Sequence, residues 1–246
     1  MLTIPSGDRT LRVLCQEPSG PAPADRFPTV LLLHGAGGNV RFWFDRVAPI
    51  LNQAGFAVYA VHYFDCTGTT RAETAELRDG FHIPLWAGAI RDTLVHIAEN
   101  PRVDAERISL LGISLGAFLG LALAAEATGS SSATLGLPDP MCLRAIVDIS
   151  GGLIPPWRAQ ATPAYPPTLI VHGDQDTVVA VSHAYGLDRL LSSLDVEHEL
   201  AILPGESHWF TPGAHTHILD LVTNFLVKHL GPDVALPLQI EPVLHS

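Results

Sequence analysis

Cysteine is scarce in this chain of 246 residues: Cys15, Cys66 and Cys142 are scattered and odd in number. That excludes a disulfide framework and fits reduced thiols in a cytoplasm, the location expected here. No two of them form a C-x-x-C pair or another spacing suited to zinc, and neither a metal nor a cofactor is expected. Basic residues are also few, 14 Lys and Arg against 25 Asp and Glu, for a net charge of −11. Such a surface repels phosphate backbones and anionic lipid, so neither nucleic acid nor a membrane is an expected partner. Long apolar runs are missing too. The longest, Leu115 to Ala125, is too short to cross a bilayer. Met1 to Asp8 lacks the basic start and apolar stretch of a secretory leader. Internal repeats and linkers are absent, which leaves one domain over residues 1–246 as the expectation.

What is present is alternation. Thr10 to Cys15 alternates apolar and polar residues and reads as a half-exposed edge strand. Thr29 to His34 is a continuous apolar run of the kind buried on both faces of a sheet, followed by a helix that Asn39 could cap and Gly55 stops. Further strands are predicted at 56–61, 108–112, 144–149, 168–172 and 199–203. Helices are predicted at 84–99, from 115, at 181–193 and at 215–230. This rhythm predicts an α/β fold: a mostly parallel central sheet of about seven or eight strands with helices on both faces. Ligands of such sheets bind at the carboxyl ends of the strands, so the residues that follow each strand matter most. Thr128 to Pro140 reads as a surface loop. Gly151 to Pro167 carries five prolines and is too short for a large cap domain; at most it forms a small lid.

Gly112-Ile113-Ser114-Leu115-Gly116 matches G-x-S-x-G between a predicted buried strand and a predicted apolar helix. On that tight strand-to-helix turn Ser114 would be a nucleophile aimed into the cleft, with glycines where side chains would collide. A serine hydroxyl needs a base, and the base needs an acid to fix its tautomer. The acid is sought after the strand ending at His172, where Asp174 and Asp176 compete. Asp174 directly follows the glycine, where an aspartate commonly shapes the turn, so Asp176 is preferred; Asp148 ranks third. Of twelve histidines, His208 alone lies in a loop after the last strand and beyond the acid, and it is the expected base. His34 and His172 end strands and read as loop-bonding residues, and His215 and His217 begin the last helix without a named partner. An oxyanion would need N–H donors, for which Leu115 and Ala36 are chosen, with Gly37 as the alternative to Ala36. The cluster His34-Gly35-Ala36-Gly37-Gly38 has neither a P-loop ending nor dinucleotide-site spacing.

With these segments in this order the chain resembles the α/β-hydrolase superfamily and, within it, the dienelactone-hydrolase-like branch. The resemblance rests on His34 to Gly38, Gly112 to Gly116, His172 to Asp176 and Ser207-His208, with His62 to Gly68 also similar to that branch. It implies a hydrolase acting on a small-molecule ester, less often a thioester or amide. Dienelactone hydrolases proper use a cysteine nucleophile; Ser114 departs from this and implies a carboxylesterase instead. Candidate pocket residues are Phe42, Trp43, Tyr63, Phe64, Trp157, Tyr165 and Trp209, each with core packing as its other reading. An uncapped cleft suits short acyl or small aromatic esters. The rivals are a thioesterase, a small peptidase, and a binding protein of the same fold, although such proteins usually lose one of the three reacting residues.

Overall fold

The computed structural model describes residues 1–19, 26–128 and 143–231. Cys142 and nearly all of the expected 128–140 loop lie outside the described residues. Eight strands form one sheet: β1 (Leu2–Ser6), β2 (Arg9–Gln16), β3 (Phe27–Leu33), β4 (Ala57–Val61), β5 (Val103–Ile113), β6 (Leu143–Ile149), β7 (Thr168–Gly173) and β8 (His198–Leu203). Their spatial order is β1-β2-β4-β3-β5-β6-β7-β8. From β4 to β8 every neighbouring pair is parallel, whereas β1 and β2 run antiparallel at one edge. The segment read from sequence as an edge strand, β2, is therefore flanked on both sides, and the true edge is β1. Its Pro5 and Ser6 hide the alternation that would have revealed it.

Among the described residues six α-helices accompany the sheet: α1 (Val40–Gln53), α2 (Thr74–Arg78), α3 (His82–Ala98), α4 (Leu115–Thr128), α5 (Ser182–Ser193) and α6 (Pro212–Leu230). One core lies between the sheet and α3, α4 and α5; the other lies under α1 and α6. Strands β3, β4, β6 and β7 are buried almost throughout, and β5 is buried from Ile108 onward, which explains their continuous apolar runs. Helix α4 has ten of fourteen residues buried, so it shows no polar stripe; a helix apolar all round is one enclosed by protein. Asn39 occupies the position before α1 without a capping side-chain bond. The short α2, closed by a reciprocal Glu73 and Glu76 capping box, was not anticipated.

Residues 157–165 lie within the stretch 151–167, expected from the sequence to form at most a small lid. They are fastened along α4 and α5: Trp157 Nε1 donates to Glu126 Oε1 at 2.9 Å, Tyr165 Oη to the Leu121 carbonyl at 2.8 Å, and Arg158 Nη2 to the Gly186 carbonyl at 3.1 Å. Among the described residues no helix is long and apolar enough to cross a membrane.

The chain moves from β3 outward to β4 and then back across to β5, so the strand order reverses beside β3. The loops after β3 and β5 diverge from that crevice, where open α/β sheets hold ligands. Close approach of α4 to β3 keeps it tight. A Cβ at Gly116 would collide with the Leu33 and His34 carbonyl oxygens. Gly116→Ala is expected to cost about 2 kcal/mol or more. Gly88→Ala, inside α3 where a Cβ would meet nothing within 4 Å, should gain about 0.5–1 kcal/mol. Urea unfolding midpoints of the two variants check both signs.

Candidate active site

Ser114 lies between β5 and α4 with φ 52°. That left-handed conformation is strained for a side-chain-bearing residue, by about 1 kcal/mol. Its surroundings hold it there. The Ser114 N–H donates to the Ile149 carbonyl of β6 at 2.8 Å, and its carbonyl accepts from Ala117 and Phe118 N–H at 2.9 and 3.1 Å. Gly112 has no room for a side chain, because a Cβ would collide with the Ala117 backbone. The collision expected from the motif is therefore real at both of its glycines. Ser114 itself remains half-buried, with its hydroxyl at the start of α4, whose first N–H groups have no partner within the helix.

The loop after β7 and the loop after β8 are knitted together. Asp174 N–H donates to the Leu203 carbonyl at 3.2 Å, Gln175 N–H to the Glu206 carbonyl at 2.9 Å, and Gly205 N–H to Asp174 Oδ1 at 2.7 Å. Asp174 thus shapes the turn. Gly173 permits the approach, since a Cβ there would strike the Glu206 backbone. The junction carries two side chains into line with Ser114: His208 Nε2 lies 3.1 Å from Ser114 Oγ, and His208 Nδ1 lies 2.7 Å from Asp176 Oδ2. Residues 94 positions apart in the chain meet here. The other carboxylate oxygen, Oδ1, accepts the N–H groups of Val178 and Val179 at 2.8 Å each. Burial pushes the Asp176 carboxyl up, but the bonds from His208, Val179 and Val178 outweigh it and hold the group below its ordinary value. With Asp176 ionised, His208 can take the Ser114 proton while its Nδ1–H stays fixed on the carboxylate.

Behind Ser114 stands the loop after β3. A Cβ on Gly35 would lie 3.4 Å from Ser114 Cβ. The Gly35 carbonyl is engaged twice, by Gly38 N–H at 3.1 Å and His34 Nδ1 at 2.8 Å, and the Ala36 carbonyl accepts Ala72 N–H at 2.8 Å. Gly38, at φ 67°, has no space for a Cβ against the Thr70 carbonyl. His34 is buried and stacks on Tyr63, 3.9 Å between centroids. Burial lowers its proton affinity to a pKa of about 4, so the ring is neutral.

Comparison with known proteins agrees with this architecture. A family model described as "alpha/beta hydrolase fold" matches residues 28–141, and one described as "Prolyl oligopeptidase family" matches residues 154–233. A dienelactone hydrolase from Anabaena variabilis superposes with a TM-score of 0.68 at 23% identity, over 93% of this chain and 96% of that one. The carboxylesterase Cest-2923 from Lactobacillus plantarum does so with a TM-score of 0.73 at 15% identity, over 92% and 96%. The chain has the α/β-hydrolase fold. In sequence it is 25% identical over 150 residues to an uncharacterized peptidase, YtmA, of Bacillus subtilis. That match takes in 53% of this chain and 58% of the relative, less than two thirds of the relative's length.

Within this fold the candidate pocket residues separate. Tyr63 and Tyr165 are core residues, not pocket walls: both rings are buried, and their hydroxyls donate to the His34 carbonyl at 2.6 Å and the Leu121 carbonyl at 2.8 Å. Phe64 is buried against Trp86 and His34, and Trp157 is committed to Glu126. Trp209, next to His208, is 73% exposed, and Phe42 is 44% exposed. Trp43 packs edge-on against His215 and lines a narrow apolar cavity of about 40 Å³ with Ile113, Ile149 and Phe210. Ile113 precedes Ser114 and the Ile149 carbonyl accepts the Ser114 N–H, so this cavity adjoins the Ser114 turn. The backbone donors of Val178 and Val179 have no side-chain signature and escape sequence reading.

Asp148, the third-ranked acid, belongs elsewhere. It pairs in register with Gly112 on β5 and is wholly buried, neither carboxylate oxygen having a hydrogen-bond partner. Burial pushes its pKa up to about 7, and the nearby Gly151 N–H opposes only part of that rise. A carboxyl whose folded pKa exceeds its unfolded value of about 3.9 favours the fold fully below that value, and the contribution is lost as pH rises through the folded pKa. Asp148→Asn should therefore gain on the wild type between about pH 4 and pH 7 and keep a constant advantage above, on the order of 2–4 kcal/mol. Urea unfolding across that range checks the slope.

Proposed function

We propose that the protein is a serine hydrolase that cleaves carboxylic esters through an acyl-enzyme formed on Ser114. One observation carries the reading: an unbroken hydrogen-bonded line from Ser114 Oγ through the His208 ring to a buried, ionised Asp176. In the first half-reaction His208 Nε2 takes the hydroxyl proton as Oγ attacks the acyl carbon. The same proton then passes to the leaving alkoxide, and the C–O bond breaks. In the second half-reaction a water gives its proton to His208 and attacks the acyl carbon, and Ser114 recovers a proton as the acid departs.

The developing oxyanion is assigned to the N–H groups of Leu115 and Ala36, with Gly37 as the alternative to Ala36. Leu115 opens α4, where its N–H has no helical partner. The peptide plane joining Gly35 and Ala36 is pinned, because its carbonyl is held by Gly38 and His34. A trans peptide sets N–H opposite C=O, so the Ala36 N–H faces away from both, fixed before substrate arrives. Such preset donors lower the barrier most, because nothing reorganises during the reaction.

The esterase and dienelactone hydrolase neighbours support an ester as substrate, and Ser114 in place of cysteine favours simple esters over the dienelactone. The small apolar cavity beside Ile113 and Ile149 supports short acyl groups. The exposed rings of Trp209 and Phe42 are the residues retained as contacts for small aromatic groups. Free Cys15 and Cys66 fit the cytoplasmic location expected from the sequence. A second reading, a small peptidase, is favoured by the match of residues 154–233 to the prolyl oligopeptidase family and by the peptidase from Bacillus subtilis.

A fluorophosphonate probe is expected to label the wild type and not Ser114→Ala; labelling that survives the substitution would remove Ser114 from the reaction. Asp176→Asn should lower kcat by about 10³–10⁴. On p-nitrophenyl esters kcat/KM should fall steeply from C2–C4 to C12. Faster turnover of aminoacyl amides than of matched esters would transfer the assignment to the peptidase.

A further inference from the structure

We propose that His172 is a positioning residue for this line: its Nε2–H, bonded to the Val179 carbonyl, also acts electrostatically on nearby Asp176 Oδ2, the oxygen that receives His208. The inference rests on the assignment of Asp176 as the acid. His172 ends β7, four residues before Asp176, and both side chains are fully buried. Its Nε2 lies 2.9 Å from the Val179 carbonyl and 3.3 Å from Asp176 Oδ2.

Those two neighbours settle the tautomer. A carbonyl and an ionised carboxylate offer only lone pairs, so Nε2 carries the hydrogen, and Nδ1, which has no hydrogen-bond partner, is the bare nitrogen. A second proton would have to sit on that buried, unpartnered atom. Burial accordingly lowers the proton affinity of His172, against the opposing pull of Val179 and Asp176 and with the further help of His208 and His183, the other titratable groups that act on it. The ring is a neutral donor at the pH where a serine hydrolase works.

Two consequences follow from the geometry. Val179 is gripped at both ends, its N–H by Asp176 Oδ1 and its carbonyl by His172, so His172 ties the loop carrying the acid back onto the last residues of β7. The Asp176 carboxylate then has three hydrogen-bonded N–H groups, two on Oδ1 and that of His208 on Oδ2, and the His172 Nε2–H stands 3.3 Å (N to O) from that same Oδ2 as a further positive pole. Each donor withdraws charge. The N–H of His172 therefore takes some of the negative charge that would otherwise favour a protonated His208.

The test compares His172→Gln with His172→Met. The two side chains have similar reach, and Gln Nε2 follows the same bond path as the imidazole Nε2, whereas Met offers no donor. Without the donor, Asp176 becomes more basic and stabilises protonated His208, so the acid limb of the reaction moves to higher pH. In His172→Met the pH profile of fluorophosphonate labelling should shift up by about half a unit or more, with a rate about tenfold lower at the optimum. His172→Gln should restore the wild-type limb. A purely structural role would slow both variants without moving the limb; that result, or equal shifts in both, overturns the proposal. Nitrogen-15 NMR of the wild type supplies an arm that needs neither activity nor a folded variant. His172 should show a protonated Nε2 and a bare Nδ1 from about pH 5 to pH 9, and a protonated Nδ1 would overturn the inference by itself. A wild type that fails to label at Ser114 refutes the hydrolase reading instead, while the NMR arm still decides the placement of the His172 proton.

Discussion

Backbone packed directly on backbone is the constraint from which the upper edge of this sheet is built. Where α4 meets β3, Gly116 leaves no space between the helix and the Leu33 and His34 carbonyls. Where β7 meets the loop after β8, Gly173 does the same against Glu206. These contacts fix the turns to which the Ser114, Asp176 and His208 side chains are attached, and the side chains inherit their precision. Ser114 is held at a positive φ by bonds from its own backbone to β6 and to α4. A group placed by main chain in this way needs no rotamer freedom to be frozen when substrate binds. The strain it carries is small beside the burial that encloses it.

Much of this was legible in the sequence because the signals were local. Continuous apolar runs located β3 to β7. A motif between a strand and an apolar helix located Ser114, and chain order located Asp176 and His208. What escaped was decided by neighbours distant in sequence. β1 was missed because a short strand containing Pro5 has too few residues to display a period. Tyr63 and Tyr165 look like cleft aromatics, as any tyrosine near a strand end does. Their burial depends on a carbonyl being in reach of each hydroxyl, His34 in one case and Leu121 in the other, and the sequence does not encode that meeting. The 151–167 segment has the prolines of an irregular loop, but whether such a loop closes over a cleft or clamps a helix depends on partners such as Glu126 on α4.

His172 marks the boundary between the two kinds of information. Its position at a strand end correctly suggested a residue that bonds the following loop, and it does bond Val179. The nearness of Asp176 to the same nitrogen follows from the loop doubling back on itself, with Asp176 N–H reaching the Gly173 carbonyl and its Oδ1 collecting Val178 and Val179. A spacing of four residues would have said nothing of this, because the segment is not helical.

Asp148 and Asp176 show how little burial alone determines. Both stand near the carboxyl ends of adjacent parallel strands, β6 and β7, and both are out of solvent. One is pushed up to about 7 and the other held below its ordinary value. The difference lies in the backbone. The turn after β7 presents two N–H groups to Asp176, and imidazole nitrogens complete the set, so ionisation is stabilised at each oxygen. The chain beyond β6 passes Asp148 without offering a bond, and Gly151 packs so close that a Cβ there would strike a carboxylate oxygen. Desolvation then dominates, offset only in part by the nearby Gly151 N–H. An acid that must remain charged to steady an imidazole could not have worked from β6 without a rebuilt turn; at β7 the turn itself supplies the charge stabilisation, and the carboxylate can be both buried and ionised.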